Sequence, residues 1–149
     1  MIDFAIVALP RSGTAWMANL LTTDGIVCWH DPLATLRNPN DVIGLNGGIS
    51  DTGMCLYPEL INAVKKKIVI VRDRYQCEYS LKKIGVNLPF LDLAESRLNL
   101  IKADIVVKFD DLFGYEAANK IHEFCIGKPL SKDRHALLNG LNVQTRGIL

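Results

Sequence analysis

The chain has 149 residues, of which 49% are apolar and 22% charged, with a formal net charge of +1. That balance describes one soluble globular α/β domain with a real core and excludes a disordered chain. Near-neutral charge gives no broad basic face, so nucleic acid is not an expected partner; a small anion held by a few local cations fits better. Cys28, Cys55, Cys77 and Cys125 are dispersed without a C-x-x-C pair, so no metal site is expected, and Cys28 and Cys125 read as buried thiols. No charged segment precedes an apolar stretch at the N-terminus, and the first apolar run is too short to span a bilayer. These features lead us to expect a cytoplasmic, reducing setting with no membrane partner, and a monomer or homodimer.

The first element is a continuous apolar run, Phe4 to Leu9, that reads as a buried strand. It turns through Pro10-Arg11-Ser12-Gly13-Thr14 into a segment where Trp16, Met17, Leu20 and Leu21 recur at helical spacing. A strand, tight loop and helix in that order leave backbone N–H groups free at the positive end of the helix dipole, which is an anion site. Gly13 allows close backbone approach, Arg11 adds a fixed charge, and Ser12 and Thr14 add hydroxyl donors. The loop is not a Walker A loop. Ala8, Thr14 and Ala15 stand where that motif carries its first glycine, its lysine and its metal-binding hydroxyl. A magnesium-dependent nucleotidase or small P-loop kinase is thereby disfavoured.

Gly25 to Trp29 reads as a second short strand, ending at His30-Asp31-Pro32. In open parallel sheets the carboxyl ends of strands are where ligands bind, which makes His30 and Asp31 candidates. Residues 33–57 are broken by Pro39, Gly44, Gly47, Gly48 and Gly53 and read as an acceptor-side lid carrying Arg37. Pro58 to Val64 reads as a helix, with Lys65-Lys66-Lys67 as its solvated C-terminal charge. Ile68 to Val71 is a β-branched strand ending at Arg72, and a helix from about Tyr75 to Ile84 carries Ser80. That spacing places Arg72 and Ser80 toward one pocket, where a guanidinium and a hydroxyl suit a phosphate, a second positive pocket separate from the Pro10–Thr14 loop on the same sheet edge. Leu91 to Ile101 forms a helical core stripe, and Asp104 to Phe109 a further strand. Asp110 or Asp111 is expected to cap the next helix, whose apolar face carries Ile121, Phe124 and Cys125. No internal repeat or domain boundary is visible. The elements predict a three-layer α/β sandwich around a mostly parallel sheet of about four or five strands, P-loop NTPase-like, with residues 1–149 as a single domain.

At these residues the chain resembles sulfotransferases that use 3'-phosphoadenylyl sulfate (PAPS). Pro10 to Trp16 is similar to their P-[KR]-S-G-T-[TS]-W loop, with Ala15 in place of a second hydroxyl. The resemblance implies that this loop holds the 5'-phosphosulfate and that Trp16 packs on the adenine. An acid followed by proline after the second strand implies Asp31 as the base on the acceptor; other members use a histidine, which makes His30 the competitor. Arg72 and Ser80 match the pair that binds the 3'-phosphate, with Arg74 in place of the usual proline. Val106 to Leu112 is similar to V-V-x-[YF]-E-D-L, with Asp110 in place of Glu. Arg146-Gly147 matches part of an R-K-G segment that contacts the 3'-phosphate. The implied activity is sulfuryl transfer from PAPS to a hydroxyl or amine, releasing adenosine 3',5'-bisphosphate without a metal. The chain is shorter than typical members, and the acceptor is not implied. A non-catalytic module that keeps the nucleotide pocket is the alternative.

Overall fold

The computed structural model describes residues 1–141. Five parallel strands form one sheet: β1 (Phe4–Ala8), β2 (Cys28–His30), β3 (Gly48–Asp51), β4 (Lys66–Val71) and β5 (Ile105–Lys108), in the order β2-β3-β1-β4-β5. Helices cover both faces, as the three-layer expectation requires. The helix α1 (Thr14–Leu21) follows β1 directly. The short helices α2 (Pro32–Leu36), α3 (Pro39–Ile43) and α4 (Pro58–Asn62) each carry proline in the first turn, where its missing N–H costs nothing. After β4 come α5 (Arg74–Lys83) and α6 (Leu91–Leu98), and after β5 come α7 (Phe109–Leu112), α8 (Tyr115–Ile126) and α9 (Lys132–Gly140).

The continuous apolar run of β1 is explained by burial on both faces. Phe4, Ile6 and Ala8 enter one core with Trp16, Met17, Leu20, Ile68, Ile70, Leu112 and Ile121. Ala5, Val7 and Leu9 enter the other with Ile49, Met54, Ile61, Val69, Ala94 and Leu98. Each such side chain contributes about 1.5–3 kcal/mol on burial, so β1 is the axis of the domain.

Segment 33–57 is not the irregular lid expected from its glycines and prolines. It contains α2, α3 and the whole of β3, which is buried along its length between β1 and β2. Gly48 is needed there because a Cβ would strike the Phe4 ring, which lies across the neighbouring strand position. Asp51 ends the strand, 1% exposed, with Oδ1 accepting from the N–H groups of Gly53 at 2.6 Å and Met54 at 2.8 Å, and Oδ2 from Leu33 at 3.1 Å. One carboxylate thus fixes the start of α2 and the turn after β3. Burial pushes the Asp51 pKa above the ordinary range, and the nearby Asp31 charge adds to this, while the three N–H donors oppose it.

Two smaller expectations are corrected. Lys66 and Lys67 belong to β4, not to the end of a helix. Asp110 and Asp111 lie inside the first turn of α7 and cap no helix through their side chains; there they complement the helix dipole.

Candidate functional site

β1 and β4 are hydrogen-bonded neighbours, with Ala8 opposite Ile70. The loop after β1 and the turn after β4 therefore leave the same sheet edge side by side, beside the point where the strand order reverses. Arg11 and Arg72 meet there. The Arg11 Nε donates to Ser80 Oγ at 2.8 Å, and Arg72 donates through Nη1 to the Arg11 carbonyl oxygen. The Arg72 guanidinium lies 3.9 Å over the Phe109 ring, a cation–π contact that holds its plane, and its Nε is buried without a partner among the described residues. Neither Arg11 nor Arg72 has a carboxylate partner among the described residues. Burial lowers the pKa of Arg11, and the charge of Arg72 lowers it further. Two close cations with no anion between them repel, and a bound anion would relieve that repulsion.

The loop conformation is demanding. Arg11 has φ 67° and Gly13 φ 82°, both left-handed. A Cβ on Gly13 would come within 2.7 Å of Leu112 and 3.0 Å of Phe113, so glycine is required there by space as well as by dihedral. Arg11 has no such freedom and stores about 1 kcal/mol of strain, the kind of cost found at binding sites. Ser50 Oγ donates to the Thr14 carbonyl at 2.7 Å and pins the start of α1 against β3.

Across the opening sit His30 and Asp31, at the end of β2. Asp31 is also left-handed, with φ 46°. Its Oδ1 accepts from the Thr52 N–H at 2.8 Å and from the Thr52 hydroxyl at 3.2 Å, and its Oδ2 lies 3.3 Å from His30 Nε2. The same nitrogen is 3.3 Å from Thr14 Oγ1. Nε2 therefore stands between a carboxylate and a hydroxyl of the anion loop. Both side chains are partly open, at 25% for His30 and 32% for Asp31.

These groups line one cavity of about 270 Å³, together with Gly13, Ala15, Thr52, Leu81, Ile84, Val86 and Phe109. Of the residues the sequence singles out, the cavity brings together Arg11, Gly13, Thr14, Ala15, His30, Asp31, Arg72 and Ser80. Ser12 and Trp16 do not line it. The Ser12 hydroxyl is buried and meets Cys77 Sγ at 3.6 Å. Trp16 is 1% exposed and packs edge-on against Phe113 and His135, so it presents no face to a base; the adenine-stacking role implied by the resemblance is corrected to a core role. Arg146 lies outside the described residues. The arginine sites are also not two separated pockets. Arg11 bonds directly to Ser80, and the two form one continuous cluster.

Thr52 and Phe109 were not foreseen. Phe109 sits directly at the end of β5, on the same sheet edge as Arg72, so its position in the chain carried a usable signal. Thr52 follows β3, which the sequence does not betray, and carried none.

Among the described residues there is no group of acidic, cysteine and histidine side chains arranged to hold a metal, and no helix long and apolar enough to cross a membrane. No family model, curated protein or solved structure matches this chain.

Proposed function

We propose that the chain is a transferase that moves a sulfuryl group from PAPS to a hydroxyl or amine acceptor, leaving adenosine 3',5'-bisphosphate. The observation that carries this reading is the convergence of Arg11, Arg72 and Ser80, without a carboxylate partner, on one cavity at the carboxyl edge of a parallel sheet. Fixed guanidinium groups bind phosphate and sulfate oxygens bidentately. In this reading Arg72 and Ser80 hold the 3'-phosphate, and Arg11 with the N–H groups of Gly13 and Thr14 holds the 5'-phosphosulfate. Arg11 Nε takes only a lone pair of Ser80 Oγ, so the Ser80 O–H and the Arg11 Nη groups can still donate to the two bound groups.

In the transfer, the bond from sulfur to the bridging oxygen of the donor breaks as a bond from the acceptor oxygen or nitrogen to sulfur forms. Charge grows on the leaving oxygen, beside Arg11 and the loop amides, where fixed donors stabilise it. The acceptor proton passes to the Asp31–His30 pair across the cavity.

A second reading has its own support. Both Thr52 donors occupy Asp31 Oδ1, so this carboxylate already has a structural task. A binding module that holds the nucleotide without turning it over fits that fact. The experiment is incubation with radiolabelled PAPS and a panel of small alcohols, phenols and amines, following release of adenosine 3',5'-bisphosphate. Release that disappears in Arg11→Ala supports transfer. Tight retention of the nucleotide with no release across the panel supports the module.

A further inference from the structure

The other end of the sheet carries a surface that the candidate site does not use. Among the described residues β5 is an edge strand, paired only with β4. Its side chains divide by the pleat. Ile105 and Val107 pack into the core with residues of α8, while Val106 and Lys108 alternate with them and are exposed, as is Asp104 immediately before the strand. None of the described residues covers Val106, which is 63% exposed, and Val71, beside Lys108 on β4, is exposed as well. A bare edge with an outward valine is open to pairing with another strand.

We propose that the partner is a second copy of this chain, with β5 pairing antiparallel to β5 about a two-fold axis at Val106. The charge pattern selects this register. With Val106 opposite its own copy, Asp104 of each chain falls opposite Lys108 of the other, and Ile105 opposite Val107. Opposite residues of an antiparallel pair project to the same face, so each Val106 contact is flanked by an Asp–Lys pair on either side. Asp104, Val106 and Lys108 lie at alternate positions, so all three take the same kind of place in the ladder. Moving the centre to Ile105 or Val107 removes both ion pairs. Lys108 has no carboxylate partner among the described residues. Asp104 uses Oδ2 on the Lys67 N–H at 2.9 Å and faces the Lys67 ammonium at 3.9 Å through the same oxygen, leaving Oδ1 to accept from a second lysine. The isologous contact joins the two sheets into one and removes both bare edges. It is independent of the nucleotide reading. Because Phe109 follows Lys108 directly and underlies Arg72, the interface adjoins the wall of the candidate site.

The test uses the full chain. Sedimentation equilibrium should show the mean mass rising with concentration from 16.6 kDa toward twice that value, and Lys108→Glu should hold it at the monomer. Mixing Lys108→Glu chains with Asp104→Lys chains should restore the dimer, since only the mixed pair sets unlike charges opposite each other; a melting curve of each variant checks that it is folded. In a separate arm, Val106→Cys should oxidise to a covalent dimer, because opposed strand positions bring Cα atoms to about 4.5–5.5 Å, inside disulfide range. Leu137→Cys, equally exposed on α9, should not. A wild-type chain that stays monomeric at every concentration, with Val106→Cys no faster to cross-link than Leu137→Cys, overturns the proposal.

Discussion

The Arg11 guanidinium donates through Nε to the Ser80 hydroxyl at 2.8 Å, tying the turn after β1 to the helix after β4. The residues are 69 positions apart in the chain. What joins them is the pairing of β1 with β4. The bond spans the two halves of the proposed nucleotide site.

Arg11 holds a left-handed backbone that glycine adopts freely. Arg11→Gly is therefore expected to leave stability unchanged, or to raise it by up to about 1 kcal/mol through relief of strain and of repulsion from Arg72. The same variant should lose most of the melting-temperature increase produced by adenosine 3',5'-bisphosphate. Paired denaturation and thermal-shift curves check both parts.

Asp31 and His30 separate by conservative substitution. Asp31→Asn keeps an oxygen for the Thr52 donors and should retain folding and nucleotide binding. If Asp31 takes the acceptor proton, turnover in that variant should fall by a factor on the order of 10²–10⁴. If His30 takes it, His30→Gln should show that loss and Asp31→Asn a smaller one. Turnover assays on both variants, beside their thermal shifts, decide between them.

Asp51 is an acceptor for three backbone N–H groups. Asp51→Asn removes a buried charge yet turns an amide NH₂ toward at least one of those donors. The loss is expected to exceed about 1 kcal/mol, because an unsatisfied buried donor costs roughly 1–3 kcal/mol. Asp51→Ala should cost more. Urea unfolding of the three proteins gives the order.

All four cysteines are free and buried. Burial pushes Cys55 and Cys125 up to about 12 from an ordinary 9.0, and raises Cys28 and Cys77 as well. The folded chain therefore keeps these protons where the unfolded chain releases them. Their contribution to stability is intact below pH 9.0 and is lost as pH rises toward about 12. Each thiol removes up to about 1.4 kcal/mol per pH unit across that window. Denaturation curves at neutral and alkaline pH measure the slope. A thiol reagent near neutral pH should find no reactive cysteine in the folded protein and all four after denaturation.

Much of the sheet edge was legible because its signals are local. A buried run closed by Pro10 to Thr14 announces β1, its loop and α1, and the β-branched run before Arg72 announces β4. β3 was not legible, because its sequence Gly-Ile-Ser-Asp carries neither alternation nor an apolar run. Its burial depends on the Phe4 ring across Gly48 and on the turn that Asp51 holds, both tertiary facts. The exposure of Trp16 was equally out of reach. Helical spacing marks it as facing inward, but whether a ring lies open to a pocket or against Phe113 and His135 is decided by residues far along the chain. The helix α9, which carries His135, was not anticipated from its own residues.

The most direct measurement compares the melting temperature of the wild-type chain with adenosine 3',5'-bisphosphate and with ATP, at matched concentrations, and repeats it in Arg72→Ala and Ser80→Ala. A ligand at about 100 times its dissociation constant stabilises by about 2.7 kcal/mol, well within reach of the method. The account predicts a larger shift with the 3',5'-bisphosphate, and loss of that preference in both variants. Equal shifts with the two nucleotides in the wild type, or a preference that survives Arg72→Ala, would contradict it.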